Sequence, residues 1–213
     1  MKINILTIFP EYFEQTLSSS ILGRAEKKDL VEYQILNLRD FTSDKHQTTD
    51  QRPFGGGPGM VMMIEPIDQA LESLGVKKGD PKKKIILTSA KGDLFVQQTA
   101  VDYSSLEELT IICGHYEGVD ERVAEHLVDA EIRIGDYVLT GGEAAALVIS
   151  DAVTRLIPQV LGNQFSNQDE SHSSPGKMAH PQYTKPASYK GWKVPEILRS
   201  GNHKLIEEWR NSN

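Results

Sequence analysis

Five short apolar runs punctuate the first 160 residues, with helically patterned stretches between them. Ile3–Phe9, Glu32–Leu38, Lys84–Ser89, Leu109–Cys113 and Glu131–Ile134 are short and rich in β-branched residues, which reads as strands. Glu11–Leu30 (with a break near Gly23), Pro66–Leu74, Val96–Asp102, Val119–Val128 and Glu143–Leu156 read as helices. Such an alternation constrains the chain to an α/β architecture, a mainly parallel sheet with helices on both faces. Asp40–Gly59 shows no periodicity and reads as a long functional loop. After Pro158 the character changes: Gly162–Pro186 is polar, and Val194–Arg210 reads as two short helices around Gly201. The expected organisation is a large domain over 1–160, a linker over 161–175 and a small helical domain over 176–213.

The composition narrows the class. One cysteine, Cys113, excludes a disulfide framework and a cysteine-rich zinc site, and suits a reducing cytoplasm. Cys113 itself sits in an apolar strand, where a buried inert thiol is expected. No stretch has the ~20 apolar residues of a membrane span. The N-terminal MKINILTIFP reaches Pro10 too soon for a signal peptide and reads as the first strand. The net charge of -7 argues against a general affinity for nucleic acid, but a local patch suffices for binding. Lysines cluster at Lys82–Lys84, which reads as a solvated strand entrance, and again at Lys177, Lys185, Lys190 and Lys193. None of the six histidines has metalloprotease spacing, and no metal site is expected.

Glycine carries the candidate site. Thr88-Ser89-Ala90-Lys91-Gly92, Cys113-Gly114-His115-Tyr116-Glu117-Gly118 and Ile134-Gly135-Asp136-Tyr137-Val138-Leu139-Thr140-Gly141-Gly142-Glu143 each follow a strand. Ligands of open α/β sheets sit outside the carboxyl ends of strands, so three such loops predict one pocket with exposed main-chain groups. None is a dinucleotide-binding fingerprint. The densest run, Phe54-Gly55-Gly56-Gly57-Pro58-Gly59-Met60, lacks the Lys-Ser/Thr pair of a P-loop, so it does not read as a phosphate cradle.

These loops, with Thr7-Ile8-Phe9-Pro10, Leu38-Arg39-Asp40-Phe41, Tyr116-Glu117-Gly118-Val119-Asp120-Glu121-Arg122, Arg155-Leu156-Ile157-Pro158, Pro181-Gln182-Tyr183-Thr184-Lys185-Pro186 and Ser200-Gly201-Asn202-His203, occur in one order along nearly the whole chain. In that order the sequence resembles the bacterial tRNA (guanine-N1)-methyltransferases of the TrmD type, in the SPOUT superfamily. The resemblance implies a parallel sheet with a trefoil knot in the C-terminal part of the large domain, followed by a small helical tRNA-binding domain. It implies methyl transfer from S-adenosyl-L-methionine (AdoMet) to N1 of guanosine 37 in tRNA. It also implies a cytoplasmic homodimer with its active site at the subunit interface. Mg2+ is admitted by the resemblance, with no site readable.

The resemblance also implies residue roles. AdoMet would lie on Ser89, Ala90, Gly114, Tyr116, Glu117, Ile134, Gly135, Asp136, Tyr137, Val138, Leu139, Gly141 and Gly142. The target guanosine would enter past Gly55, Gly56, Gly57, Pro58 and Gly59, with Ser171 nearby. Arg155 would serve the guanine O6, and a linker carboxylate would act as base. Here the family's acidic-Asp-Ser-Phe run is Gln168-Asp169-Glu170-Ser171-His172. Register favours Glu170, and a one-residue slip would present Asp169. The segment before the Pro-Gln-Tyr motif also departs from the family, and the chain ends short of a basic tail, so tRNA affinity is less secure than AdoMet binding. Two rivals follow: a SPOUT enzyme acting on another nucleoside, and a non-catalytic relative that binds tRNA or AdoMet.

Overall fold

The computed structural model describes residues 1–162, 170–174 and 176–212. The chain divides into two compact units, Met1–Gln164 and Phe165–Asn213.

The first unit is built on five parallel strands in the order β2-β1-β6-β5-β7. These are β1 (Lys2–Thr7), β2 (Glu32–Asn37), β5 (Lys83–Leu94), β6 (Glu108–Cys113) and β7 (Ala130–Arg133); β3 (Asp50–Gln51) and β4 (Val61–Met62) form a separate antiparallel pair. The apolar runs are continuous because both faces of the sheet are covered, and alternate residues feed opposite cores. Ile3, Ile5, Ile86, Leu109, Ile111 and Cys113 pack on one side with helices α1 (Glu11–Leu17), α2 (Ser20–Glu26), α4 (Gln97–Ser104) and α5 (Glu143–Thr154). Leu6, Ile85, Leu87 and Ile112 pack on the other with α3 (Ile64–Leu74) and the turn at Val123–Leu127.

Several expectations are corrected. The first helix breaks at Ser18–Ser19 rather than at Gly23, which lies inside α2. The second segment starts so close to the first that a Cβ on Gly23 would run into the Ser18 carbonyl. The expected helix over Val119–Val128 is shortened to 121–127, most of it one wide turn over Val123–Leu127, and Val119 is instead bridged to Met62 in extended form. Strand β5 runs past Ser89 to Leu94: β7 pairs with it before and after a bulge, with Ile132 opposite both Thr88 and Asp93. The lysines at the entrance of β5 are committed to carboxylates, Lys82 to Glu107 at 2.5 Å and Lys83 to Glu108 at 2.7 Å. This agrees with a solvated strand entrance.

The second unit is small. It holds a hairpin of β8 (Ser188–Tyr189) and β9 (Trp192–Lys193), a single helical turn α6 (Glu196–Arg199) and α7 (His203–Ser212). Gly201, between the two helices, takes a φ of 71°. Trp209 gathers His180 and Tyr183, at ring distances of 6.4 and 6.3 Å. Neither helix buries a residue fully.

Candidate functional site

The bulged middle of β5 lies between the carboxyl end of β6 and the strand β7, and Leu87–Lys91 together with the chain leaving β6 and β7 lines one cleft of about 460 Å³. Ser89, Ala90, Gly114, Tyr116, Glu117, Ile134, Gly135, Tyr137, Val138, Leu139, Gly141 and Gly142 all line it. Asp136 does not; its carboxylate turns to Arg133 Nε at 2.9 Å.

Backbone contact fixes the floor. Gly142 N donates to Gly114 O at 2.7 Å, and Gly114 N donates to Thr88 Oγ1 at 3.1 Å. A Cβ on Gly142 would enter Thr88 Oγ1 and stand 2.9 Å from Gly114 N. The two chains approach too closely for any side chain here. Thr88 Oγ1 in turn donates to Ile112 O, tying β5, the end of β6 and the start of α5 together.

Charged groups missed by the sequence reading stand around this floor. His115 lines the cleft with Nδ1 buried, without a hydrogen-bond partner among the described residues, 3.7 Å from Glu143 Oε2. Glu143 is itself buried and accepts from Thr7 Oγ1 at 2.9 Å. Lys91 Nζ reaches Glu121 at 2.6 Å and Glu131 at 3.5 Å, and the Glu121 hydrogen bond pushes the Lys91 pKa up. Glu131 Oε2 is buried without a donor among the described residues. No motif signals these groups, because they are assembled from separate strand ends. Tyr137, Val138 and Leu139 also line the cleft and expose 57%, 84% and 41% of their surface, forming an apolar rim. Cys113 lies beneath, fully buried; burial pushes its thiol well up, and nearby Glu143 adds to this, so it is inert.

The Gly55–Gly59 run is strapped to the same cleft. Glu117 N donates to Met60 O at 3.1 Å, Met62 N to Gly118 O at 2.9 Å and Asp120 N to Met62 O at 3.0 Å. Gly59 takes a φ of 76°, and a Cβ there would lie 2.6 Å from Glu117 Oε1. Beyond the strap, Gly55, Gly56 and Gly57 have left-handed backbones and open space around them, and Phe54 is fully exposed. Tyr116, also left-handed at a φ of 59°, joins the two loops. Burial raises its hydroxyl pKa, as does the Asp50 carboxylate that it meets, and Arg39 opposes them.

The remaining candidates lie elsewhere. Arg155 caps α5 and is not among the cleft-lining residues. Glu170 and Ser171 belong to the second unit, where Glu170 O accepts from Ser173 N and Ser171 Oγ from Ala179 N at 2.9 Å. Asp169 lies outside the described residues. Among the described residues no three His, Cys, Asp or Glu side chains gather as a metal site would require, and no helix is long and apolar enough to cross a membrane.

Comparison with known proteins supplies a family. The family model described as "tRNA (Guanine-1)-methyltransferase TrmD" matches residues 1–213. The chain is 52% identical over 211 residues to the tRNA (guanine-N(1)-)-methyltransferase of Bacillus subtilis strain 168, covering 99% of this chain and 86% of that one. It is 50% identical, with the same coverage, to the proteins of the same name from Bacillus cereus strain AH820 and Bacillus anthracis strain CDC 684.

Proposed function

The chain belongs to the TrmD family of tRNA (guanine-1)-methyltransferases, and from that membership we propose that it methylates N1 of guanosine 37 in tRNA, with AdoMet as donor. The observation that carries the reading is the cleft itself: the bulged stretch of β5 and the two glycine loops that follow β6 and β7, in the family's order, around a space of about 460 Å³. That volume is of the size that holds a small ligand. Its residues suit AdoMet. The apolar rim at Tyr137–Leu139 can cover an aromatic base, and the unpartnered Glu131 Oε2 and His115 Nδ1 can meet polar hydrogens. The main chain of Gly135 and Gly141 supplies further donors and acceptors. When bound, AdoMet supplies an electrophilic sulfonium methyl, so the protein forms no covalent intermediate.

The chain's own work is orientation and proton transfer. Orientation of the two reactants is the main source of rate. The open Gly55–Gly57 backbone admits the guanine beside the cleft, and the strap at Met60–Met62 keeps that entrance in register with Glu117–Asp120. The N1 proton has a pKa well above neutrality and needs a base within about 2.6–3.2 Å. Glu170 or its neighbour Asp169 takes it. Negative charge then spreads towards O6, where the Arg155 guanidinium stabilises it. The target base leaves its stack to be reached.

The division of labour follows the family: residues 1–160 hold AdoMet in a trefoil knot, 161–175 link, and 176–213 grip tRNA. The knot is supported by the path after β7, which returns from the sheet edge past the Thr88–Asp93 bulge to Gly114 before α5 begins. The enzyme acts as a cytoplasmic homodimer with an active site shared between subunits. The helix α5, apolar over Ala144–Ile149, would suggest a dimer face by its surplus of apolar sides, but α1, α2 and α4 flank it within one chain. Support for a dimer comes instead from Tyr12, Val101 and Val148, on three helices of that layer, which stay 50%, 43% and 47% exposed. No residue is assigned to Mg2+.

Incubation with methyl-labelled AdoMet and a tRNA transcript tests the reading. Label on the RNA is expected; AdoMet binding without transfer would leave a non-catalytic relative.

A further inference from the structure

The chain as a whole is acidic, but its negative charge is unevenly spread. Between Glu170 and Glu196 there is no Asp or Glu, while Lys177, Lys185, Lys190 and Lys193 all fall there. The net charge of -7 therefore splits into +4 over residues 171–195 and -11 over the rest. Within this stretch the chain folds back as β8–β9, with Tyr189 directly opposite Trp192 and Ser188 opposite Lys193. The two-residue turn, Lys190-Gly191, has left-handed φ values of 51° and 88°, the backbone of a tight hairpin. The Tyr189 and Trp192 rings pair at 6.0 Å, and Lys190 Nζ stands 5.4 Å from the Tyr189 centroid.

Cross-strand aromatic pairs often serve only to hold a hairpin together. Here that role leaves much surface unused, since Trp192 is 72% exposed and Tyr189 55%. In the other aromatic group of this unit, His180 and Tyr183 converge on Trp209, where the Trp209 and His180 rings are half-buried although Tyr183 stays exposed. A two-stranded hairpin has little stability of its own. This one presents two aromatic faces and two ammonium groups in the longest acid-free segment of an acidic chain. Exposed aromatics interleaved with cations bind unpaired nucleic acid, the rings by stacking on bases and the cations by neutralising phosphates.

Resting on the function proposed above, we propose that the β8–β9 hairpin is a tRNA contact, in which Trp192 and Tyr189 stack on an unpaired base and Lys190 and Lys193 meet its flanking phosphates. The charge pattern selects this occupant: a second copy of the chain would bring a net charge of -7 but no concentrated anion, whereas each nucleotide brings one.

The test uses the full chain and a tRNA transcript, with affinity measured by anisotropy between 50 and 200 mM salt. Removing a stacked aromatic costs about 5- to 150-fold per base, so Trp192→Ala is expected to weaken binding at least fivefold, and Trp192→Phe to keep most of it. Lys190→Ala with Lys193→Ala should flatten the dependence of log affinity on log salt by about 0.7–0.9 per lysine. AdoMet affinity by calorimetry and the melting temperature should stay unchanged, which separates lost contact from lost fold. Wild-type affinity and slope in both the Trp192→Ala and the double-lysine variant would overturn the proposal. So would a change in sedimentation state with RNA affinity intact, which would mark the hairpin as a contact between chains. Methyl transfer by the wild type to the same transcript keeps the two readings apart: transfer with indifferent hairpin variants sinks this inference alone.

Discussion

At Gly142 an added Cβ would enter Thr88 Oγ1 and press on the Gly114 amide, whereas at Gly56 it would meet nothing within 4 Å. Gly142 is glycine because the fold leaves no room, in a backbone conformation open to any residue. Gly56 is glycine because its φ of 79° is one that L side chains rarely adopt, in a loop with room to spare. The first kind marks where the protein packs on itself to make a floor. The second marks a loop whose backbone demands glycine with no packing neighbour. Gly142 lines the cleft, and the Gly56 loop is tied to the cleft residues Glu117 and Gly118 through the Met60–Met62 strap.

Four variants sharpen or break that contrast. Gly142→Val should have the largest effect. Overpacking costs about 1–3 kcal/mol or more, and here the clash falls on the cleft floor, so calorimetry should show AdoMet affinity down by at least ~100-fold, with a lower melting temperature. Second is the base, which lies on neither glycine element. The double variant Asp169→Asn with Glu170→Gln should slow single-turnover transfer by about 100-fold or more, the usual contribution of a general base, with AdoMet affinity unchanged. A full rate in that variant would send the search for the base elsewhere. Third, Gly56→Ala places a side chain in a left-handed backbone at a cost of about 1–2 kcal/mol. The expected result is a several-fold rise in KM for tRNA with AdoMet affinity intact. Loss of AdoMet binding instead would erase the distinction between the two glycines.

The smallest effect is a control away from both. Glu108 is largely buried; burial raises its carboxyl pKa, but Lys83 and Asn4 donate to it and the net shift is downward. A depressed folded pKa stabilises above the unfolded value and is lost as pH falls through the folded one. Melting temperature should therefore drop as pH falls below the ordinary carboxylate range, and Glu108→Gln should flatten part of that drop without touching AdoMet binding at neutral pH.

Much of the sheet was legible because buried parallel strands are apolar on both faces, as in Thr110-Ile111-Ile112-Cys113. The far end of β5 was not, since Lys91-Gly92-Asp93 is polar and its place beside β7 depends on a bulge. The β8–β9 hairpin hid in a polar tract because its strands are two residues long; Tyr-Lys-Gly-Trp, a tight turn between aromatics, was the available signal. In the cleft the glycines announced themselves. His115, Glu131 and Lys91 did not, because their meaning comes from neighbours distant in sequence. The strap between Met60 and Glu117 is likewise a tertiary fact, carried by main-chain atoms that any residue supplies.

The most direct test of the account maps the methyl group. Wild-type protein is incubated with AdoMet and two tRNA transcripts that differ only in carrying guanosine or adenosine at position 37, and nuclease fragments are analysed by mass spectrometry. The account predicts 1-methylguanosine at position 37 of the first transcript and no methyl on the second. A methyl at any other nucleoside, or equal methylation of both transcripts, would contradict it.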